Sequence, residues 1–187
     1  MSKKERSKTI RWVVTIFFVT ILVSGLISLL SEEIMSVSTM FVAFCILLAI
    51  IFIGIIFDVI GVAVTSAEEK PFHSMAARKV PGAQDAIRLL RNAERVSSIC
   101  NDVVGDICGV VSGSASATIA AQMLQNFEFS RPRMVALAMS ALVAGLTVGG
   151  KAVGKTVAMN SCTAIVHTVG RILYRFRRIS LALTKKK

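Results

Sequence analysis

VSTMFVAFCILLAIIFIGIIFDVIGVAVT, residues 37–65, is a run of 29 residues with one charge, Asp58. A helix rises 1.5 Å per residue, so about 20 apolar residues cross a hydrocarbon core of about 30 Å. The run is longer than that, which leaves room for tilt or protrusion. A soluble core helix has no need of so long an apolar stretch. The remainder of the chain is therefore read as that of a membrane protein.

Working outward, residues 12–30 (WVVTIFFVTILVSGLISLL) carry no charge and form the first expected span. They follow a short basic tail, residues 1–11, and no small-residue cleavage site follows them cleanly, so they are not read as a signal peptide. SEEIMS, residues 31–36, reads as an acidic turn. The third block, 96–125, is weaker; it holds Asp102 and Asp106 among many Gly, Ala and Ser residues, the composition of a helix packed within a bundle. NFEFSRPR, 126–133, reads as a turn. The fourth block runs from Met134 to about Val153, with Lys151 near its end.

Between the second and third blocks lies a polar stretch, 66–95, broken by Pro71 and Pro81-Gly82. Within it residues 83–95 read as an amphipathic helix in the interface plane, with Ala86, Ile87, Leu90 and Ala93 opposite Arg88, Arg91 and Arg95. Residues 156–187 are also amphipathic, with Ile165, Val169, Ile172, Leu173 and Phe176 on one side and Arg171, Arg175 and Arg178 on another. The expected fold is an all-α integral membrane protein: four transmembrane helices, a cytoplasmic belt of short helices and a C-terminal interfacial helix.

Composition agrees. Of 187 residues 54% are hydrophobic and 18% charged, against about a quarter charged in soluble domains. The net charge is +11, from 22 Lys and Arg against 11 Asp and Glu. The loops after the first and third blocks hold only Arg131 and Arg133, and the other 20 basic residues lie in the N-terminal tail, in 66–95 and from Lys151 onward. The positive-inside rule then places both termini in the cytoplasm of a multi-pass cell-membrane protein. The basic excess is assigned to topology and anionic lipid, not nucleic acid.

Cys45, Cys100, Cys108 and Cys162 have no CxxC spacing and read as small apolar residues. His73 and His167 are isolated, with no metal-ligand partners in the sequence. Gly149-Gly150-Lys151 and Gly154-Lys155-Thr156 lack phosphate-loop spacing after a strand. With no Ser/His/Asp or Cys/His constellation on one face, no enzyme and no organic cofactor are expected.

Three stretches resemble the transmembrane domain of the CNNM/CorC family of magnesium transport proteins. FDVIGVAVTSAEEKPFHSMA (57–76) stands where that family has an apolar helix ending in a small-residue and acidic motif. ARKVPGAQDAIRLLRNAERVSSI (77–99) is similar to its basic belt. GGKAVGKTVAM (149–159) is similar to its Gly-Glu-x-x-Pro-Lys motif, with Gly150 and Lys155 in register. The resemblance divides the single transmembrane domain into an extra N-terminal span (1–36), a CNNM/CorC-like core (37–155) and a basic tail (156–187). It implies a homodimer that binds a dehydrated cation between polar helix groups, with Mg²⁺ as the transported ion, Na⁺ coupling as an option and a separate cytoplasmic regulatory protein as a further one. The family's acidic residue before the belt falls near Gly61, its Asn-rich motif within 101–106, its motif Glu on Lys151 and its Pro on Gly154. No stretch resembles the family's CBS or C-terminal cytoplasmic modules, so no nucleotide sensing is expected.

The residues themselves mark a candidate site. Asp102 and Asp106 are four apart on one helical face, with Ser98 a further turn along and Asn101 beside them. Asp58 and Asp102 each lie roughly 12 Å along their helices from the cytoplasmic end. Carboxylate, amide and hydroxyl oxygens suit a hard cation, and acids inside a membrane line a pathway or pair with one another. Asp58, Ser98, Asn101, Asp102 and Asp106 are therefore the expected ion ligands. Lys151 is a pocket charge able to stand in for a cation. The competing readings are acids that pair with Lys151 or cap backbone in a packed bundle, a third block that does not insert, and Lys151 snorkelling at the cytoplasmic end of the fourth span. The serine-rich run 112–118 reads as ligand oxygens or as helix contacts. On the functional side, the alternative to transport is a membrane scaffold or regulatory subunit that keeps the fold without the site.

Topology is testable by thiol labelling in a background without the native cysteines. Glu33→Cys and Thr184→Cys are expected to react with an impermeant reagent from opposite sides of the membrane; reaction of both from one side is incompatible with this arrangement.

Overall fold

The computed structural model describes residues 3–126 and 132–184, with side chains described for 11–34, 38–126 and 132–180. Among these residues the chain is all helix, without strands. The order is α1 (Lys3–Val37), α2 (Met40–Ser66), α3 (Lys70–Ala77), α4 (Ala83–Arg91), α5 (Ala93–Ser98), a π-helix (Ile99–Gly105), α6 (Asp106–Asn126), α7 (Pro132–Asn160) and α8 (Cys162–Thr184). Four segments are long and apolar enough to cross a membrane: Arg11–Ile34, Met40–Ser66, Ala93–Asn126 and Pro132–Asn160. That is consistent with a multi-pass membrane protein.

Several boundaries differ from the sequence reading. The acidic turn expected at 31–36 is helical, because nothing there breaks a helix and Glu favours one. The chain turns instead at Ser38-Thr39, where the Thr39 carbonyl accepts the Ala43 N–H at 3.0 Å and starts α2. The single helix expected over 83–95 is two helices. Asn92 separates them, leaving helical geometry at φ −116° and donating its amide to the Arg88 carbonyl at 2.9 Å. The fourth apolar block continues to Asn160, since the glycines at 149, 150 and 154 are all helical. Lys151 thus sits nine residues inside the end of α7. Most of the turn expected at 126–133, and the final three lysines, lie outside the described residues.

The chain forms two compact units. The first comprises Met1–Gly54 and Val103–Val148. Its α6 buries Ile107, Val111, Ser112, Ala115, Ser116, Ile119 and Ala120, a stripe with helical period, and α1 packs on α6. Most of the stripe is small, which lets backbones approach closely where there is no hydrophobic drive between helices. Here the run 112–118 serves as a packing surface. Gly54 lies against Cys108, where a Cβ would come within 2.9 Å of the cysteine Cβ. The large side chains point outward: Phe17, Phe18, Leu22, Leu29 and Leu30 on α1, and Leu137 and Val148 on α7. Outward-facing apolar side chains on long helices are what a lipid surrounding requires.

The second unit comprises Ile55–Asp102 and Gly149–Lys187. Its core joins Ala63 and Val64 of α2, Phe72 of α3, Ala86, Ile87 and Leu90 of α4, Ala158 of α7 and Val166 of α8. The apolar face of α4 expected to rest on lipid is therefore covered by protein. Its arginines, Arg88 and Arg91, remain exposed as expected. α4 crosses α8 at two glycines. Gly82, with φ +87°, starts α4, and a Cβ there would meet the Arg171 nitrogen at 2.5 Å; a Cβ on Gly170 would meet the Gly82 carbonyl oxygen at 2.6 Å. The two main chains touch directly. Asp85, almost wholly buried, clasps the crossing through Arg177 at 3.1 Å and Arg88 at 3.3 Å.

Helix propensity and packing oppose each other at these positions. Gly170→Ala is expected to destabilise by about 1–3 kcal/mol despite the better propensity of Ala, because the methyl has only backbone to displace. Gly149→Ala, with nothing within 4 Å, is expected to be neutral or stabilising. Thermal unfolding of both variants in detergent checks the sign; equal shifts would refute the glycine contact.

Candidate functional site

α2 carries Asp58 about two-thirds of the way along its length, and α7 carries Lys151. Lys151 Nζ stands 3.7 Å from Asp58 Oδ1, with both side chains largely buried. The helices come close enough for this because Gly150 and Gly154 face Ile55 and Val59; Cβ atoms at those glycines would run into the two α2 side chains. Two opposite charges at this distance neutralise each other. The gap is longer than the 2.7–2.9 Å of a charge-assisted hydrogen bond, so the pair is an electrostatic contact with room to open. Of the three acids singled out in the sequence, Asp58 is the one that stands beside Lys151.

Opposite α2 stands the π-helix. Asn101 Nδ2 donates to Ser97 Oγ at 3.2 Å, whereas Asn101 Oδ1 is buried with no hydrogen-bond partner. That oxygen faces Gly61, where a Cβ would overlap it. Gly61 is three residues beyond Asp58, on nearly the same side of α2 and one turn along. An unpaired buried carbonyl costs roughly 1–3 kcal/mol, and such groups concentrate where a ligand or ion completes them. The i→i+5 bonding of a π-helix is also a frequent mark of functional sites.

The other expected ligands are placed differently. Ser98 Oγ donates to Asp102 Oδ2 at 2.8 Å, and Asp102 is exposed, bonded to Ser98 and not to the Asp58–Lys151 pair. Asp106 opens α6 in the first unit and is exposed. The α-helical spacing expected over 98–106 gives way to the π-helix through Gly105. Among the described residues no group of three or more His, Cys, Asp and Glu side chains is placed to hold a metal ion. A cation here would depend on one carboxylate together with neutral oxygens. His73 pairs with Glu69 at 3.1 Å on the surface, and His167 Nε2 is buried without a partner.

Ser97 and the close approach of Asn101 to Gly61 were not singled out from sequence. The available signal was the glycine itself, on an otherwise bulky face three residues after the only charge in α2. No family model, curated protein or solved structure matches this chain.

If Asp58 and Lys151 stabilise each other, removing either leaves a buried charge unpaired. A double-mutant cycle with Asp58→Ala and Lys151→Ala, read by thermal unfolding, is expected to give a coupling of about 1–3 kcal/mol. Additive losses would mean that the pair does not form.

Proposed function

We propose that this chain is a multi-pass membrane protein that transports a divalent cation, Mg²⁺ first among candidates, with Lys151 as a built-in competitor for the site. The observation that carries the reading is the Asp58–Lys151 pair, set within two candidate spans and one helical turn from the unpartnered oxygen of Asn101. Ionisable groups at such positions are costly and mark ion pathways more often than they serve stability. Lys151 supplies a positive charge where the CNNM/CorC-like motif would supply a carboxylate. When the ammonium swings away, Asp58, the Asn101 amide and the Ser97 hydroxyl offer hard oxygen ligands, and Ser98 and Asp102 extend the polar lining of that unit. In the topology that accompanies this reading, four spans leave both termini in the cytoplasm, residues 66–95 form a belt and the protein acts as a homodimer. Na⁺ coupling belongs to the same proposal.

A second reading has an observation of its own. Lys151 already satisfies Asp58, and no carboxylate-rich cluster stands among the described residues, which favours a membrane scaffold or regulatory subunit without transport.

Flux into proteoliposomes distinguishes the two. Wild type is expected to carry Mg²⁺, Lys151→Glu to carry or bind it at least about tenfold better, and Asp58→Ala to abolish it; tenfold corresponds to about 1.4 kcal/mol. Absence of flux with Mg²⁺, Mn²⁺ or Na⁺ in wild type and in Lys151→Glu alike leaves the scaffold reading standing.

A further inference from the structure

Where α4 packs on α8, a cleft of about 650 Å³ opens between α4 and α5 and the C-terminal part of α8. Asp85 closes one wall. Its Oδ1 accepts from both Arg88 at 3.3 Å and Arg177 at 3.1 Å. One carboxylate facing two guanidinium groups leaves one positive charge in excess. Both arginines line the cleft and are more than half exposed, against 11% for the Asp85 side chain, so each keeps donors that Asp85 does not use. The rest of the lining is mostly apolar, with Leu89 and Val96 on one side and Leu173 and Phe176 on the other, beside Asn92 and Ser180. Phe176 is 67% exposed and Leu173 42%.

We propose that this cleft binds an anionic phospholipid, with the phosphate on Arg88 and Arg177 and the first part of an acyl chain along Leu173 and Phe176. A free anion would use the surplus charge but not the exposed apolar wall; a neutral lipid would use the wall but not the charge. Only an anionic amphiphile uses both. The location agrees, because Ala93 begins a candidate span and Val96 lies in its first turn, so the cleft opens at one end of a membrane-length helix. Asp85 orients both guanidiniums while cancelling only one of them. The inference rests on the multi-pass membrane character of the chain and is independent of the cation site.

Native mass spectrometry of the full chain in mild detergent, titrated with phosphatidylglycerol and phosphatidylcholine, tests it. Wild type is expected to retain phosphatidylglycerol roughly fivefold better, the preference expected of one surplus basic residue. Arg88→Gln keeps Asp85 paired with Arg177 and is expected to lose that preference, whereas Arg88→Lys keeps it. Phe176→Ser, at an exposed position where folding is not at stake, is expected to lower retention of both lipids. Equal retention of the two lipids by wild type overturns the proposal, as does an unchanged preference in Arg88→Gln or unchanged retention in Phe176→Ser. Complete displacement of phosphatidylglycerol by millimolar inorganic phosphate also overturns it, since the site would then be an anion site without a lipid component.

Discussion

Side chains as apolar as these leave the main chain nowhere to bond except within its own helix. An N–H or C=O facing hydrocarbon has no water to turn to, and only a closed ladder of intrahelical bonds removes the penalty. The hydroxyls obey the same constraint. Thr15, Thr65, Ser112, Ser114, Ser116, Thr118, Thr147, Thr156 and Thr168 each donate to a carbonyl three or four residues earlier. Their polarity is consumed locally, so they behave as small, nearly apolar packing groups. Polar groups of another kind acquire meaning against that background: Asp58, Lys151 and the side-chain oxygen of Asn101.

Once helices are obligatory, what remains to be decided is how closely they approach. Without a hydrophobic drive between helices in lipid, contact depends on van der Waals packing, which small residues permit. The chain uses glycine for this in both units. Gly54 admits Cys108 in the first, while Gly61 admits Asn101 and Gly150 and Gly154 admit Ile55 and Val59 in the second. The last two have a chemical consequence as well, since they bring α7 near enough to α2 for Lys151 to reach Asp58. The Gly82–Gly170 contact does the same for α4 and α8, and permits Asp85 to hold an arginine 92 residues away. Charge pairing in the second unit is thus subordinate to backbone approach.

The two buried acids of that unit illustrate opposite solutions. Asp85 has two guanidiniums on one oxygen, an overcompensated arrangement that favours a further anion. Asp58 has a single ammonium at a loose 3.7 Å, an arrangement that a competing cation could replace. Near Asp58, the unpaired Asn101 oxygen adds an acceptor to a site whose ammonium, that of Lys151, is on a flexible stem.

Much of the architecture was legible in the order of residues alone. Uninterrupted apolar runs of bilayer length admit no structure but helix, so four long helices, the breaks at Pro71 and Pro81-Gly82, and the two-faced character of residues 83–91 follow from chemistry that acts within a few residues. Local signals also mark Asp58 and Lys151 as misfits in their runs. What they meet was not legible, because partner choice is a matter of distances between helices far apart in sequence. Tertiary structure decided that Asp58 faces Lys151 while Asp102 bonds to Ser98, that the apolar face of α4 is covered by protein, and that Asp85 finds Arg177. It also decided the π-helix at Ile99–Gly105, where the sequence predicted plain α-helical spacing. Periodicity reports which face of a helix is apolar, but the absence of a Cβ at Gly61, Gly82, Gly150, Gly154 and Gly170 takes effect only when a second backbone arrives to use the space.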